Sequence, residues 1–384
     1  VDNLRADFVI GFLGGGQLAR MSAYQALRYG IRTAVYGSSS DPEPMEWVTP
    51  LVHKGSFDNY QKMLAFFKAC DVVTLENEFL DSALLKRLVA DSGTPMYPQP
   101  EAFAKIEDKI TEKRTFEACG VPVAPWMALT SVEDARLFAQ KHGYPFLIKS
   151  SKGGYDGYGN RTIKTEQDIT DAWAFFGGDV GRELLAEAFV PFEKELAVSV
   201  VRSKLGTVVY PCVETIQKNH ICKEVIAPAG IDGSLRAEAE RLARAVVEHI
   251  NGIGIFAFEF FLTRDGRILM NESAPRPHNS AHYSIEACVT SQFENHVRSV
   301  MGWMPGPTAM RRPVAVMINL LGTHNRQAKA ENAAEAMAEP DGHLHLYGKL
   351  MSKTGRKMGH YTLLGDDPET TFKRAKALTE NLHI

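Results

Sequence analysis

Apolar residues fall into two rhythms along this chain. Phe8–Leu13 is a short apolar run ending in Gly14-Gly15-Gly16, after which Leu18, Met21 and Leu27 recur at helical spacing up to Gly30. Ile31–Tyr36 and Asp71–Leu75 are further short apolar runs. Together they predict a βαβ opening with parallel strands and a right-handed crossover, a Rossmann-like start. Ser92–Pro100 carries one glycine and three prolines and closes this first α/β unit.

The middle is richer in strands. Tyr144–Ser150 and Arg161–Lys164 flank a glycine loop and predict a hairpin; before it, Ser131 and Asp134 have capping-box spacing and start a helix. Glu183–Ala188, Glu195–Ser203 and Gly206–Val213 read as strands. Leu235, Leu242, Val246 and Ile250 share one face of a helix over Leu235–Ile250, and strands Ile255–Leu262 and Ile268–Glu272 follow. After Pro305-Gly306-Pro307 a smaller C-terminal unit begins, with Val314–Leu320 as its clearest strand. The expected division is 1–98, 99–305 and 306–384.

Composition narrows the function classes. With 384 residues, 45% hydrophobic and 23% charged, the chain is an ordinary globular sequence long enough for two or three domains. Lys+Arg 43 against Asp+Glu 46 gives a net charge of -3 with no basic run, so no nucleic-acid partner is expected and any phosphate-binding charge must be local. Cys70, Cys119, Cys212, Cys222 and Cys288 are odd in number and form no Cys-x-x-Cys pair, which argues against a disulfide framework or a zinc site and suits a reducing cytoplasm. Phe8–Leu13 is too short for a signal segment and no later run could span a membrane, so no membrane partner is expected.

The most informative chemistry is a pair of carboxylates. If Asp265-Gly266 forms the two-residue turn it favours, Arg264 faces Arg267 and Glu259 lies directly opposite Glu272. Opposed Cβ atoms lie ~4.5–5.5 Å apart, and two charges about 5 Å apart repel by roughly 3 kcal/mol at an effective dielectric near 20. Three arrangements relieve that repulsion: a magnesium ion, an arginine such as Arg276, or protonation of one glutamate. The loop after Lys149, running Ser-Ser-Lys152-Gly153-Gly154-Tyr155-Asp156-Gly157-Tyr158-Gly159-Asn160, lets backbone N–H groups approach an anion, although it lacks the ending of a Walker A loop. Gly14-Gly15-Gly16-Gln17 at the first strand–helix junction is a weaker signal: helix N-termini bind phosphate, but many glycine turns there simply turn. Asn271–Ser280 places polar and basic groups directly after the second carboxylate. Lys349, Arg356, Lys357 and His360 form a local basic cluster: either a solvated face or a phosphate clamp.

Six segments, in order and spanning nearly the whole chain, resemble the ATP-grasp superfamily and within it the N5-carboxyaminoimidazole ribonucleotide synthetases. They are Gly14–Met21 (GGGQLARM), Leu75–Phe79 (LENEF), Gly153–Asn160 (GGYDGYGN), Asn271–His282 (NESAPRPHNSAH), His345–Lys349 (HLYGK) and Gly355–His360 (GRKMGH). The match departs at Tyr158 and Asn160, where the family usually shows Arg and Gln, and at Ala281, usually Gly.

The resemblance implies an ATP-grasp α/β fold: an N-terminal α/β domain, a central nucleotide-binding α+β region with a lid over about 122–188, and a small C-terminal unit. It implies that Lys109 and Lys149 contact ATP phosphates, that Gly154, Tyr155, Asp156, Gly157, Tyr158, Gly159 and Asn160 cover the nucleotide, and that Glu187, Ala188, Phe189 and Val190 form the adenine hinge. Glu195 is expected at the ribose, His220 and Asn271 at the nucleotide, and Glu259 and Glu272 on magnesium. Aminoimidazole ribonucleotide is expected among Gln17, Leu18, Glu76, Tyr155, Asp156, Arg276, His278, Asn279, Lys349, Arg356 and Lys357, with Asp156, Lys357 and Arg276 as the catalytic groups. The implied chemistry is carboxylation of that ribonucleotide by ATP and bicarbonate in purine biosynthesis, by a cytoplasmic homodimer. A formate-dependent glycinamide ribonucleotide transformylase-like enzyme and a non-catalytic nucleotide-binding module are the alternatives.

Overall fold

The computed structural model describes residues 4–153, 159–218 and 221–384. The opening forms a parallel five-stranded sheet of order β3-β2-β1-β4-β5, built from β1 (Val9–Leu13), β2 (Arg32–Gly37), β3 (Leu51–Lys54), β4 (Val72–Leu75) and β5 (Met96–Tyr97). Helices α1 (Gln17–Arg28), α2 (Tyr60–Lys68) and α3 (Ser82–Ser92) alternate with these strands. Their apolar runs are buried on both faces, as a parallel sheet covered by helices requires.

A short α4 (Pro100–Phe103) and α5 (Lys109–Ala118) lead into a small antiparallel sheet of order β6-β9-β7-β8. Its strands are β6 (Trp126–Leu129), β7 (Phe146–Ser150), β8 (Asn160–Ile163) and β9 (Leu184–Ala188). Helix α6 (Val132–His142) begins on the capping box read from sequence, with the Ser131 and Asp134 side chains reciprocally bonded, and α7 (Glu166–Phe176) begins on a second box at Thr165 and Asp168. Phe138, Phe146, Ile148, Ile169 and Trp173 form the core of this unit.

The largest sheet runs β15-β14-β10-β12-β13-β16-β20-β18, with β11 alongside β10. Its members are β10 (Phe192–Arg202), β11 (Thr207–Val209), β12 (Val213–Lys218), β13 (Ile221–Ala227), β14 (Gly254–Thr263), β15 (Ile268–Ala274), β16 (Val314–Leu321), β18 (Gly342–Leu346) and β20 (Lys357–Gly365). The expected strand Gly206–Val213 is therefore interrupted after Tyr210, whose N–H still reaches Ser199 O, because Pro211 has no N–H to give the ladder. A two-residue ribbon pairs β17 (Arg326–Gln327) with β19 (Met351–Ser352). The C-terminal strands therefore extend the central sheet, and α11 (Ala333–Ala338) and α12 (Pro368–Glu380) pack on them.

Side-chain alternation decides which face carries chemistry. Leu196, Val198, Phe258 and Phe260 turn to one face and pack with Leu242 and Val246 of α8 (Gly233–His249). Glu195, Ala197 and Glu259 share the opposite face, since Ala197 pairs with Glu259 across β10 and β14. Farther along that face Ala197, Val201 and Ile255 are covered by Ala281 and Tyr283, in the segment that leads to α9 (Ser284–Ala287).

Helix α10 (Gln292–Val300) joins this sheet to the N-terminal one. Val297, Val300 and Met301 pack with Ile10, Phe12, Val35 and Val72, and His296 Nε2 lies 3.1 Å from Thr74 Oγ1 in β4. His296 is fully buried and burial pushes its imidazole down to about 3. The folded protein therefore keeps this ring neutral while the unfolded chain takes up a proton below about 6.5, so its contribution to stability falls as pH drops from 6.5 toward 3. His296→Gln removes that proton uptake. From pH 6.5 to 5.0 the parent should lose stability relative to the variant by roughly 1.6 kcal/mol in all, read from urea unfolding. A stability gap that does not change with pH would contradict this.

Candidate active site

The carboxylate pair exists, but the register that produces it differs from the one read from sequence. Leu262 pairs with Ile268, Thr263 N donates to Arg267 O, and Gly266 N donates to Thr263 O at 2.9 Å. The loop therefore has three residues, Arg264-Asp265-Gly266, with Gly266 in the left-handed region at φ 77°. That is the three-residue hairpin in which a type I turn is closed by a left-handed glycine, and Arg264 does not face Arg267. The register is one residue out until a bulge at Asn271 restores it, so that Glu259 opposes Glu272 while Phe260 opposes Met270. Two offsets cancel.

The bulge has a purpose in the local geometry. Asn271 leaves the ladder, and its carbonyl accepts from Lys113 Nζ at 2.9 Å. Its neighbours on β15 are gripped by the same helix. Lys109 Nζ donates to Glu272 Oε2 at 2.8 Å, and Glu112 Oε1 accepts from Ser273 N at 2.7 Å and from Ser273 Oγ at 2.6 Å. One face of α5 thus holds three consecutive residues of the strand, as i, i+3 and i+4 spacing allows. Asp108 caps that helix, accepting from Ile110 N and Thr111 N, and also takes a 3.0 Å bond from Ser151 Oγ at the end of β7.

Glu187 on β9 is buried between two lysines: Lys113 binds one carboxylate oxygen and Lys149 of β7 the other. Burial alone would raise this carboxyl, yet the two ammonium groups hold it at about 2. Lys149 shifts downward, chiefly from burial. The Glu272 carboxyl is held below its usual range by Lys109, whereas Glu259 is pushed up by burial and by Glu272. Glu195, on the same face, is raised to about 7 by burial and then by Glu272. Glu112 is likewise pushed to about 7 by its burial.

Of the three ways to relieve the glutamate pair, Arg276 is not used. Glu78 holds its guanidinium bidentately, with Nη2 2.7 Å from Oε1. Lys109 neutralises Glu272 instead, and Glu259 drifts toward its neutral form. Among the described residues no cluster of three or more His, Cys, Asp or Glu is placed to hold a metal. Two hard carboxylates on one face are nonetheless the protein share expected for magnesium, which takes its other ligands from water and phosphate. The Asn271 Oδ1 is buried there without a hydrogen-bond partner, so this donor set fits the ion.

Other expected residues gather around Arg276, which acts on both Glu76 and His278. Glu76 accepts from Gly16 N at 2.6 Å and Ala19 N at 3.1 Å, and the Gly15 and Gly37 backbone is packed against Glu43. Carboxylates therefore fill the glycine turn at the head of α1, where a phosphate-binding loop would leave room for an anion. Gln17 and Leu18 follow in that first turn. His278 lies 3.7 Å from Glu259, and burial together with Arg276 and Lys357 lowers it to about 3. Asn279 has both amide groups engaged by Asn319 of β16, at 2.8 and 2.6 Å. Lys349 Nζ donates to Lys357 O at 2.7 Å, and burial and nearby Arg356 lower it to about 7. Arg356 is exposed and donates to Met351 O at 3.0 Å.

Beside Ala188-Phe189-Val190, the segment expected to be the adenine hinge, a cleft of about 680 Å³ opens against Val123, Pro125 and Leu269. Asn160 stands exposed opposite Lys149 at the start of β8, next to Gly159. Gly154, Tyr155, Asp156, Gly157, Tyr158 and His220 lie outside the described residues.

Sequence reasoning missed Lys113, Glu112, Glu78 and Asn319. For the first two a signal was available: Lys109, Glu112, Lys113 and Phe116 share one helical face, and a face that ends in a buried phenylalanine is an unusual place for three charges. Because Glu112 satisfies two groups on Ser273, Glu112→Ala should lower stability by about 1–3 kcal/mol, the cost of leaving a buried donor unpaired. Urea unfolding of the two proteins checks this, and equal midpoints would contradict it.

Three family models match in chain order: a ribonucleotide synthetase preATP-grasp domain over residues 8–107, an ATP-grasp domain over 114–293, and a phosphoribosylaminoimidazole carboxylase C-terminal domain over 315–374. The N5-carboxyaminoimidazole ribonucleotide synthase of Synechococcus elongatus is 36% identical over 372 residues, covering 96% of this chain and 93% of that protein. The phosphoribosylaminoimidazole carboxylase of Ogataea methanolica is 38% identical over 364 residues, and this match spans 92% of the chain but 66% of that longer protein. A crystal structure of the Aspergillus clavatus N5-carboxyaminoimidazole synthase, with ADP and 5-aminoimidazole ribonucleotide, superposes with a TM-score of 0.85 at 32% identity, covering 98% of this chain and 97% of that one. On fold, site and similarity, the chain belongs to the N5-carboxyaminoimidazole ribonucleotide synthase family of ATP-grasp ligases.

Proposed function

We propose that this enzyme uses ATP and bicarbonate to convert 5-aminoimidazole ribonucleotide into N5-carboxyaminoimidazole ribonucleotide, releasing ADP and phosphate, in purine biosynthesis. The observation that carries the reading is the Glu259–Glu272 pair facing Lys109 and Lys149, with Arg276, His278 and Lys357 on the adjoining side. The first set suits a triphosphate; the second suits a ribonucleotide.

Bicarbonate is a poor electrophile. Transfer of the γ-phosphoryl group to one of its oxygens breaks the bond to ADP and gives carboxyphosphate. The amine nitrogen of the ribonucleotide then attacks the carboxyl carbon, phosphate leaves, and the nitrogen gives up a proton. Glu259 and Glu272 would hold magnesium, which when bound supplies neutralisation of charge on the phosphate oxygens. Lys109 and Lys149 add positive charge along the phosphate chain. Glu187 to Val190 provide the edge for adenine, with Glu195 at the ribose and Asn271 near the metal. His220 at the nucleotide, Gly154 to Asn160 as the cover that keeps water from carboxyphosphate, and Asp156 as the group orienting the amine belong to this reading.

Arg276 and His278 are preorganised by Glu78 and Ser280 rather than free to wander. Lys349, Arg356 and Lys357 are assigned to the ribonucleotide phosphate, together with Gln17, Leu18, Glu76 and Asn279 around the sugar and base. The division at 98/99 and 305/306, a lid over about 122–188, and a cytoplasmic homodimer complete the proposal. No helix among the described residues is long and apolar enough to cross a membrane.

The test is ADP release. It should require magnesium and rise when aminoimidazole ribonucleotide and bicarbonate are both present. Equal stimulation by glycinamide ribonucleotide with formate would overturn the substrate assignment.

A further inference from the structure

Lys113 is 2% exposed, yet its ammonium reaches partners on two sheets: the Glu187 carboxylate of β9 and the Asn271 carbonyl of β15. Glu187 is 3% exposed and carries a second lysine, Lys149, on its other oxygen. One carboxylate with two ammonium groups has one cation more than neutrality needs. A buried carboxylate stripped of every counter-ion is strongly disfavoured, so a lone lysine partner could not leave it cheaply.

We propose that Lys113 is a positioning residue, the resident counter-ion of Glu187, which leaves Lys149 free to turn from that carboxylate to the phosphate chain of ATP. The inference rests on the reading that Lys149 contacts those phosphates. The two lysines are built for different roles. Lys113 lies within α5 with Ile110, Glu112 and Phe116 buried around it, and its second bond to the Asn271 carbonyl fixes it. Lys149 stands near the end of β7, at the root of the glycine loop, and its charge already acts on Glu272. Lys113 also ties β9 to the bulge next to Glu272, so the spacing between hinge and metal pair runs through the same ammonium.

The test is calorimetric titration of the full chain with the β,γ-methylene analogue of ATP and magnesium. Lys149→Met should weaken binding. Lys113→Met should weaken it as well, each by roughly ten- to a hundredfold, the scale of a charged hydrogen bond, because Glu187 then retains Lys149. Lys113→Met/Glu187→Gln should recover most of that loss, since the neutral amide no longer competes for Lys149. Lys113→Gln can still donate to the Asn271 carbonyl but has no charge. It should follow Lys113→Met, and it carries the test if the methionine variant does not fold. A lysine needed only for packing would give a loss that Glu187→Gln does not reverse. That result, or Lys113 variants that bind as tightly as the parent, overturns the inference. If Lys149→Met itself binds like the parent, the phosphate-contact reading fails, and the role of Lys113 falls with it.

Discussion

Glu259 and Glu272 stand opposite each other on neighbouring strands, and like charges at that separation do not rest unless something positive is supplied. The surrounding architecture follows from this constraint. Helix α5 lies along β15 and brings Lys109 to Glu272, Glu112 to Ser273 and Lys113 to the Asn271 carbonyl. Its N-cap, Asp108, is bonded in turn to Ser151 just beyond Lys149. The small sheet, the helix and the β14–β15 hairpin are therefore one electrostatic unit rather than three adjacent pieces.

That unit alternates in sign: Lys109 with Glu272, then Lys113 and Lys149 around Glu187. Each lysine satisfies a carboxylate in the protein alone and is the kind of group that a phosphate chain would recruit. Preorganised charge of this kind costs little reorganisation when the reaction develops negative charge. Around Arg276 the same economy holds by different means. Glu78 fixes Arg276, Ser280 fixes His278, and Asn319 fixes Asn279 to the first C-terminal strand. The C-terminal unit thus reaches the Arg276–Asn279 segment through Asn319 of β16 and through Lys357, although its sequence gives little hint that it continues the central sheet.

How far the sequence could be read depended on whether a signal was local. The βαβ opening, the Ser131 capping box and the apolar face of α8 are set by periodicity and were legible. The glutamate pairing was also legible, but by a route that was wrong in its details. Asp265-Gly266 favours a two-residue turn, whereas Gly266 closes a three-residue loop, and the bulge at Asn271 returns the strands to register. A bulge is specified by what grips it, here Lys113 from a helix nearly 160 residues away, and no local pattern encodes that. The glycine run after β1 was a weak signal, fitting an anion site or a plain turn, and only the fold brings Glu43 and Glu76 into the space that the glycines leave. Lys113 was hidden because its partners, Glu187 and the Asn271 carbonyl, come from strands far away in sequence.

The account turns on the two glutamates sharing one metal ion beside the phosphates. Its most direct test is a crystal structure with manganese in place of magnesium and the β,γ-methylene analogue of ATP, located by anomalous scattering. The account predicts one ion bridging Glu259 and Glu272, with their oxygens within roughly 2–2.5 Å and Lys109 moved from Glu272 to phosphate. An ion bound away from that pair, with the Lys109–Glu272 bond intact, would contradict it.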